Sequence, residues 1–318
     1  MAIALIIGRD QLDQKRFDYF LQNIPQQLHQ LQPNLDIRIY PEIGDCNDIN
    51  FVIAWRAPLG IFQKFPKLQC IASLGAGVDH LLSDPHLPKS IPIVRIVDPA
   101  MRMEITQYVI ATTLFFIKRF DVWADNQKQK YWNKSPPFNL LDKKVGIMGL
   151  GFLGNQAAET LHSLGIKVIG WSQSPKKIPG ICCYHGSDQL KHFLAETTVL
   201  VCLLPLTPDT QNILNADLFS QLPQGAYLIN LARGGHLVET DLLNALDSGK
   251  LSGVYLDVFN QEPLPSNHPF WTHPKIKITP HVAAVTNLSS ALPQILDNYH
   301  RMLQGQNLLN LVNLQKGY

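Results

Sequence analysis

The sequence predicts an α/β protein built from two doubly wound, parallel-sheet domains. Three observations predict it. Short apolar runs alternate with longer amphipathic segments, the pattern of parallel strands joined by helical crossovers. A second series of the same kind starts at Lys144 with KVGIMGLGFLG, residues 144–154. The length, 318 residues, suits about two domains of roughly 150 residues each.

In chain order, Ala2–Ile7 reads as a strand, Asp13–Leu31 as an amphipathic helix and Leu35–Tyr40 as a second strand. Phe51–Trp55, Leu68–Ser73 and Pro92–Val97 supply three more. Two notable loops follow strands in this part, Trp55-Arg56-Ala57-Pro58 and Leu74-Gly75-Ala76-Gly77-Val78-Asp79. No glycine fingerprint occurs here. Asp98-Pro99 interrupts the alternation, and Met101–Trp132 then reads as one long helix free of proline. Ser135-Pro136-Pro137 ends it and opens an extended arm, whose Phe138, Leu140 and Leu141 suit either a second subunit or their own domain.

In the second series the expected strands are Val145–Met148, Lys167–Trp171, Val199–Leu204, Ala226–Leu231, Gly253–Val258 and Lys275–Thr279. Helices separate the first five; Glu239–Gly249 is a clear case, with acidic residues in its first turn and glycine at its end. Gly149-x-Gly151-x-x-Gly154 sits between a strand and the helix Phe152–Leu164. In that context the glycines have separate tasks: a tight turn, close approach of backbone to a pyrophosphate, and close packing of helix on strand. The helix N-terminus adds unpaired N–H groups and a positive dipole end. Asn287–Leu303 forms a last helix, with Pro293 predicting a kink or a late start. The expected partition is a discontinuous substrate-binding domain, residues 1–98 plus 286–318, around a dinucleotide-binding domain, residues 99–285.

Composition narrows the classes. Apolar residues make up 46% and charged residues 16%, so a sizeable core forms, and a net charge of +2 with only short basic pairs excludes a nucleic-acid surface. Tyr108–Ile117 is the longest apolar run and is too short to span a bilayer. Five cysteines without a CxxC, and no cleavable leader at Met1–Gly8, predict a reducing, cytoplasmic setting. The histidines show no HxH or HExxH spacing, so no metal is expected; His268 and His273 read as surface residues.

Ligands of open α/β sheets bind at the carboxyl ends of the strands. Arg233 follows the fourth strand of the second series, Asp257 ends the fifth, Glu262 comes shortly after it, and His281 follows the sixth. One arginine, two carboxylates and one histidine therefore share a rim beside the dinucleotide. The set suits hydride transfer to a 2-oxo acid. Arginine holds a carboxylate with two parallel hydrogen bonds and polarises the adjacent carbonyl. Histidine supplies the proton that the emerging alkoxide needs. A glutamate bonded to that histidine favours imidazolium and holds the ring in place.

GLGFLG (149–154), LLPLTPDT (203–210), NLARGG (230–235), DVFNQEP (257–263) and TPHVAA (279–284) together resemble the D-isomer-specific 2-hydroxyacid dehydrogenases. SLGAGVDH (73–80), GWSQSP (170–175) and the terminal Lys316-Gly317-Tyr318 are most similar to the bacterial glyoxylate/hydroxypyruvate reductase A branch. The resemblance covers essentially the whole chain. It implies two Rossmann-like doubly wound parallel-sheet domains with a cleft between them, usually in a homodimer joined through the cofactor domains. It implies a catalytic triad of Arg233 as substrate anchor, Glu262 as partner and His281 as acid/base. Trp55 and the backbone N–H groups of Gly75, Ala76 and Gly77 would meet the substrate. Gly149, Gly151, Phe152, Leu153, Gly154, Leu204, Pro205, Thr210, Leu231 and Ala232 would border the cofactor, and Asp257 would face the nicotinamide amide.

An acid that binds the ribose is expected about 20 residues past the glycines. Ser172 stands eighteen past Gly154, in Trp171-Ser172-Gln173-Ser174-Pro175-Lys176-Lys177. No carboxylate there repels a 2′-phosphate, and Ser172, Ser174, Lys176 and Lys177 suit one. Gln173 stands where NADPH-preferring relatives commonly carry arginine. NADP(H) is thus the preferred cofactor, with NAD(H) possible. The expected reaction is reduction of glyoxylate and hydroxypyruvate to glycolate and D-glycerate, with no nucleic-acid or membrane partner. The alternatives are another D-2-hydroxyacid dehydrogenase, for D-lactate or phosphoglycerate, and a non-catalytic NAD(P)H-sensing binding protein.

Overall fold

Strands that are apolar at every position must be covered on both faces, and the first strand shows why. All six residues of β1 (Ala2–Ile7) are buried. Ile3, Leu5 and Ile7 enter one core cluster, and Ala2, Ala4 and Ile6 enter another on the opposite face. In the computed structural model, residues 1–9, 14–134 and 143–318 are described. The predicted helix start at Asp13, the Ser135-Pro136-Pro137 stop and the arm residues Phe138, Leu140 and Leu141 lie outside them.

The chain divides into two compact units, Met1–Met101 with Val285–Tyr318, and Arg102–Ala284. The first holds a five-stranded parallel sheet in the order β2-β1-β3-β4-β5. Its other strands are β2 (Ile37–Ile39), β3 (Ile49–Trp55), β4 (Cys70–Ser73) and β5 (Ile93–Val94). Helix α1 (Gln14–Leu31) buries Phe17, Phe20, Ile24 and Leu28, a stripe at helical spacing. The short helix α2 (Asp79–Leu82) follows the loop after β4. The last helix, α9 (Leu288–Leu303), packs beside α1 over the β1–β3 face, where Tyr299 meets Phe51 edge to face at 5.4 Å. Its N-cap is Asn287, whose side chain accepts from the Ser289 N–H, and the helix continues through Pro293.

The second unit holds a seven-stranded, wholly parallel sheet in the order β12-β11-β10-β9-β6-β7-β8. These strands are β6 (Lys144–Met148), β7 (Lys167–Ser172), β8 (Cys182–His185), β9 (Val199–Cys202), β10 (Ala226–Asn230), β11 (Leu251–Leu256) and β12 (Ile276–Ile278). Between them run α5 (Phe152–Ser163), α6 (Gly186–Glu196), α7 (Ala216–Gln221) and α8 (Glu239–Asp247). Chain order reverses between β6 and β9, the crevice position that doubly wound sheets use for ligands. Three expectations are corrected here. The sheet has seven strands rather than six, because β8 adds an edge strand whose ends are exposed. The single helix over 101–132 is two helices, α3 (Pro99–Ile117) and α4 (Phe120–Lys128), separated where Arg119 takes φ +61°. Asp98-Pro99 starts α3 rather than breaking the pattern: the Asp98 carboxylate accepts from the Ala100 N–H, and Pro99 occupies the first turn, where no N–H is needed.

Candidate active site

The glycine turn does what its spacing requires. Gly149 has φ +111°, and a Cβ there would lie 2.7 Å from the Leu203 carbonyl oxygen. At Gly154, buried in the first turn of α5, a Cβ would lie 1.8 Å from the Gly149 carbonyl oxygen. Gly151 differs: nothing lies within 4 Å of its would-be Cβ. It is also the N-cap of α5 and offers no side-chain acceptor. Open space over uncapped helix N–H groups is what an approaching pyrophosphate needs. Phe152 is exposed and receives the Arg102 guanidinium 4.6 Å from its ring centre. Leu153 is half-buried.

The neighbouring strand ends carry the remaining cofactor candidates. Ser172 ends β7 buried, with its hydroxyl donating to the Ser174 carbonyl at 2.8 Å, while Gln173, Ser174, Lys176 and Lys177 are exposed. The hydroxyl hydrogen of Ser172 is thus committed to shaping the turn. After β9, Leu204 is buried and Pro205 half-buried; Thr210 Oγ1 donates to the Pro205 carbonyl at 2.7 Å and accepts from the Thr207 N–H at 2.9 Å. Leu231 and Ala232 are buried at the end of β10.

Glu262 and His281 meet directly. His281 Nδ1 lies 2.8 Å from Glu262 Oε2, and Glu262 Oε1 accepts from the Phe259 N–H at 3.0 Å. An ionised carboxylate only accepts, so Nδ1 carries the proton of this bond and Nε2 is the nitrogen left for chemistry. His281 has φ +54°, a conformation a non-glycine residue holds only when its surroundings impose it. They do. Its N–H donates to the Asp257 carbonyl at 2.8 Å and the Thr279 carbonyl at 3.1 Å. The buried Asp257 carboxylate braces the same loop: Oδ1 accepts from the Thr279 hydroxyl (2.6 Å) and the Val282 N–H (3.0 Å), and Oδ2 from the Ala283 N–H (2.9 Å). Tyr108 of α3 extends the chain, donating to Thr279 Oγ1 at 2.7 Å. Burial pushes the Asp257 carboxyl above the ordinary aspartate range, outweighing the Thr279, Val282 and Ala283 donors, which lower it.

Arg233 stands at the end of β10, half-buried, with Nη1 donating to the Ala232 carbonyl at 2.7 Å. Gly234 presses on the loop that leads to Glu262; a Cβ there would fall 2.0 Å from the Phe259 carbonyl carbon. Sequence reasoning missed two residues that shape this rim. Thr279 stands in the sequence as a strand end and the first residue of TPHVAA, with no sign of its bond to Asp257. His236, fully buried, places Nδ1 3.1 Å from the Arg233 carbonyl and Nε2 3.2 Å from the Pro205 carbonyl, linking the segments after β10 and β9. Neither carries a sequence signal, since both act through long-range pairing. His268 and His273, expected on the surface, are half-buried: each Nδ1 accepts a backbone N–H (Phe270, Lys275), and each Nε2 faces a carboxylate (Glu239, Asp247).

In the first unit, Trp55 ends β3 half-buried, and its ring lies against Gly75, where a Cβ would come 2.5 Å from the indole. Gly75 is buried and Ala76 and Gly77 are half-buried, in the loop after β4.

Residues 110–283 match the family described as D-isomer specific 2-hydroxyacid dehydrogenase, NAD binding domain. Glyoxylate/hydroxypyruvate reductase A of Photorhabdus laumondii is 41% identical over 298 residues, 92% of this chain and 95% of that protein. Its Yersinia enterocolitica counterpart is 40% identical over 291 residues, 90% and 93% of the two chains. Among solved structures, a D-isomer specific 2-hydroxyacid dehydrogenase from Xanthobacter autotrophicus in complex with NADPH and MES superposes with a TM-score of 0.90 at 35% identity, covering 100% of this chain and 99% of that one. An NADPH-dependent glyoxylate/hydroxypyruvate reductase from Sinorhizobium meliloti in complex with NADP and sulfate gives 0.89 at 33% identity, with 100% and 99% coverage. The chain belongs to the D-isomer specific 2-hydroxyacid dehydrogenase family.

Proposed function

We propose that the protein reduces small 2-oxo acids, glyoxylate and hydroxypyruvate, to glycolate and D-glycerate with NADPH. The observation that carries the reading is the His281–Glu262 pair, held on the same strand-end rim as Arg233 in a sheet that also bears the glycine turn. Gly149, Gly151 and Gly154 with the first N–H groups of α5 hold the pyrophosphate. Ser172, Gln173, Ser174 and Lys176 meet the 2′-phosphate, Phe152, Leu153, Leu204, Pro205, Thr210, Leu231 and Ala232 border the dinucleotide, and Asp257 faces the nicotinamide amide. When bound, the reduced nicotinamide supplies the hydride. Arg233 grips the substrate carboxylate and draws charge onto the carbonyl oxygen. His281 hands that oxygen a proton from Nε2, while Glu262 keeps the ring oriented and stabilises it while charged. Trp55 and the N–H groups of Gly75, Ala76 and Gly77 recognise the small acid. The NADP-bearing Sinorhizobium and Xanthobacter relatives, and a β7 end without a carboxylate, support NADP(H) over NAD(H). The same reading places the enzyme in the cytoplasm as a homodimer; no helix among the described residues is long and apolar enough to cross a membrane.

The test is oxidation of NADPH and NADH, in parallel, with glyoxylate, hydroxypyruvate, pyruvate and phenylpyruvate. The first two with NADPH should be fastest. His281→Ala should keep cofactor affinity and lose at least about 10²-fold in turnover. Cofactor binding without turnover of any acid would instead favour a dinucleotide-sensing protein.

A further inference from the structure

His80 has no part in the roles assigned above, yet its ring joins both loops assigned to the substrate. It is the second residue of α2 and is half-buried. The Arg56 backbone N–H donates to its Nδ1 at 3.1 Å, and its Nε2 lies 3.2 Å from Ser73 Oγ. Its ring packs on Trp55, with centres 4.6 Å apart and planes tilted by 55°. A backbone N–H only donates, so Nδ1 is the acceptor, and the proton of the neutral ring sits on Nε2, pointing at Ser73. Ser73, itself fully buried, then has every hydrogen-bonding position filled. Its hydroxyl accepts from His80 Nε2 and from the Gly75 N–H (3.2 Å) and donates to the Gly77 carbonyl (3.3 Å). One tautomer of one imidazole closes the whole set.

The segments so joined have little room to adjust. Arg56 takes φ +48°, and a Cβ on Gly8 would fall 1.9 Å from its carbonyl oxygen. The Trp55 ring is flanked by Gly75 and by His80. A space-filling histidine would need neither ring nitrogen, whereas this one uses both in a single orientation, on the Trp55–Arg56 turn and on the loop that presents Gly75–Gly77.

We propose that His80, as the neutral Nε2–H tautomer, is a positioning residue that fixes Trp55 and the Gly75–Gly77 N–H groups for recognition of the 2-oxo acid. The proposal rests on the functional reading above. The experiment compares wild type, His80→Ala and His80→Asn, the last keeping an acceptor where Nδ1 stood. Steady-state constants are measured with glyoxylate and NADPH, NADPH affinity by fluorescence titration, and amide hydrogen exchange in peptides spanning residues 54–60 and 72–80. His80→Ala should raise KM about tenfold, the equivalent of one or two neutral hydrogen bonds, with little change in kcat or NADPH affinity. Exchange in both peptides should accelerate, and His80→Asn should recover much of KM and slow exchange at Arg56. Wild-type KM and exchange in His80→Ala would overturn the proposal. So would equal damage in His80→Ala and His80→Asn, which would assign the effect to ring packing alone. If the wild-type protein turns over no 2-oxo acid, the functional reading falls, and with it the substrate role of His80. Exchange would then decide the clamp by itself: unchanged exchange in His80→Ala would overturn that as well.

Discussion

Two alanine substitutions in one turn should have different consequences. Gly154→Ala places a methyl 1.8 Å from the Gly149 carbonyl oxygen, which is backbone and cannot rotate away. Relief requires moving α5 off the turn by about 1.5 Å, and overpacking of that kind costs roughly 3 kcal/mol. For a domain of this size the melting temperature should fall by roughly 6–12 °C. The first N–H groups of α5 move with the helix, so NADPH affinity should fall as well. Gly151→Ala meets nothing within 4 Å and keeps φ −78°, which alanine adopts freely. Its stability should fall by only about 1 kcal/mol, the difference between glycine and alanine as an N-cap. Its methyl, however, fills the space through which a pyrophosphate reaches the helix N–H groups. NADPH Kd should rise about 10- to 100-fold, the loss of one or two charge-assisted hydrogen bonds. Calorimetry of both variants, with fluorescence titration of NADPH, separates the two effects. Unchanged NADPH affinity in Gly151→Ala would refute the assignment of the turn, and equal melting temperatures for the two variants would refute the packing argument.

Other outcomes follow from the rim and the core. Glu262→Gln removes the carboxylate that accepts from His281 Nδ1. The ring loses its orienting partner, so turnover of glyoxylate should fall about 10²-fold while NADPH affinity stays unchanged; wild-type turnover would sink the pairing. Cys70 and Cys202 have thiols pushed up to about 12 by burial, so both stay protonated and shielded well above neutral pH. Iodoacetamide should therefore label the exposed Cys182 in the native protein and reach Cys70 and Cys202 only after denaturation, as peptide mass mapping would show.

What the sequence revealed, and what it hid, follows from range. The strands visible as apolar runs are those covered on both faces, such as β1, β9 and β10. β8 escaped notice because Cys182–His185 is an edge strand with exposed ends, so burial left no apolar run. The break at Arg119 escaped because a non-glycine residue takes the left-handed conformation there, with no proline or glycine to mark it. In the site, Arg233, Glu262 and His281 were legible because strand-end placement follows from counting strands. Their support was not. The Thr279–Asp257 brace spans 22 residues, and the contact of His236 with Pro205 spans 31. Nothing local distinguishes such residues from ordinary polar ones. Asp257 shows the difference well, since its position at the end of β11 was readable while its three donors were not.

The discontinuity of the first unit sets an order of events on the ribosome. α9 supplies Leu288, Ala291, Leu292, Ile295, Leu296 and Tyr299 to the cluster that covers Ile3, Leu5, Phe51 and Ile53. Leu311 and Val312 then close onto β5, where Leu311 bridges Val94 and the Val312 N–H donates to the Ile93 carbonyl. None of these residues exists in the nascent chain until Arg102–Ala284 has been translated, and that contiguous unit has all its own strands by then. The segment made first is therefore the one finished last, and it emerges with one apolar sheet face lacking α9. That face stays uncovered during elongation, and arrest of translation before α9 should leave a protease-sensitive N-terminal region attached to a resistant core.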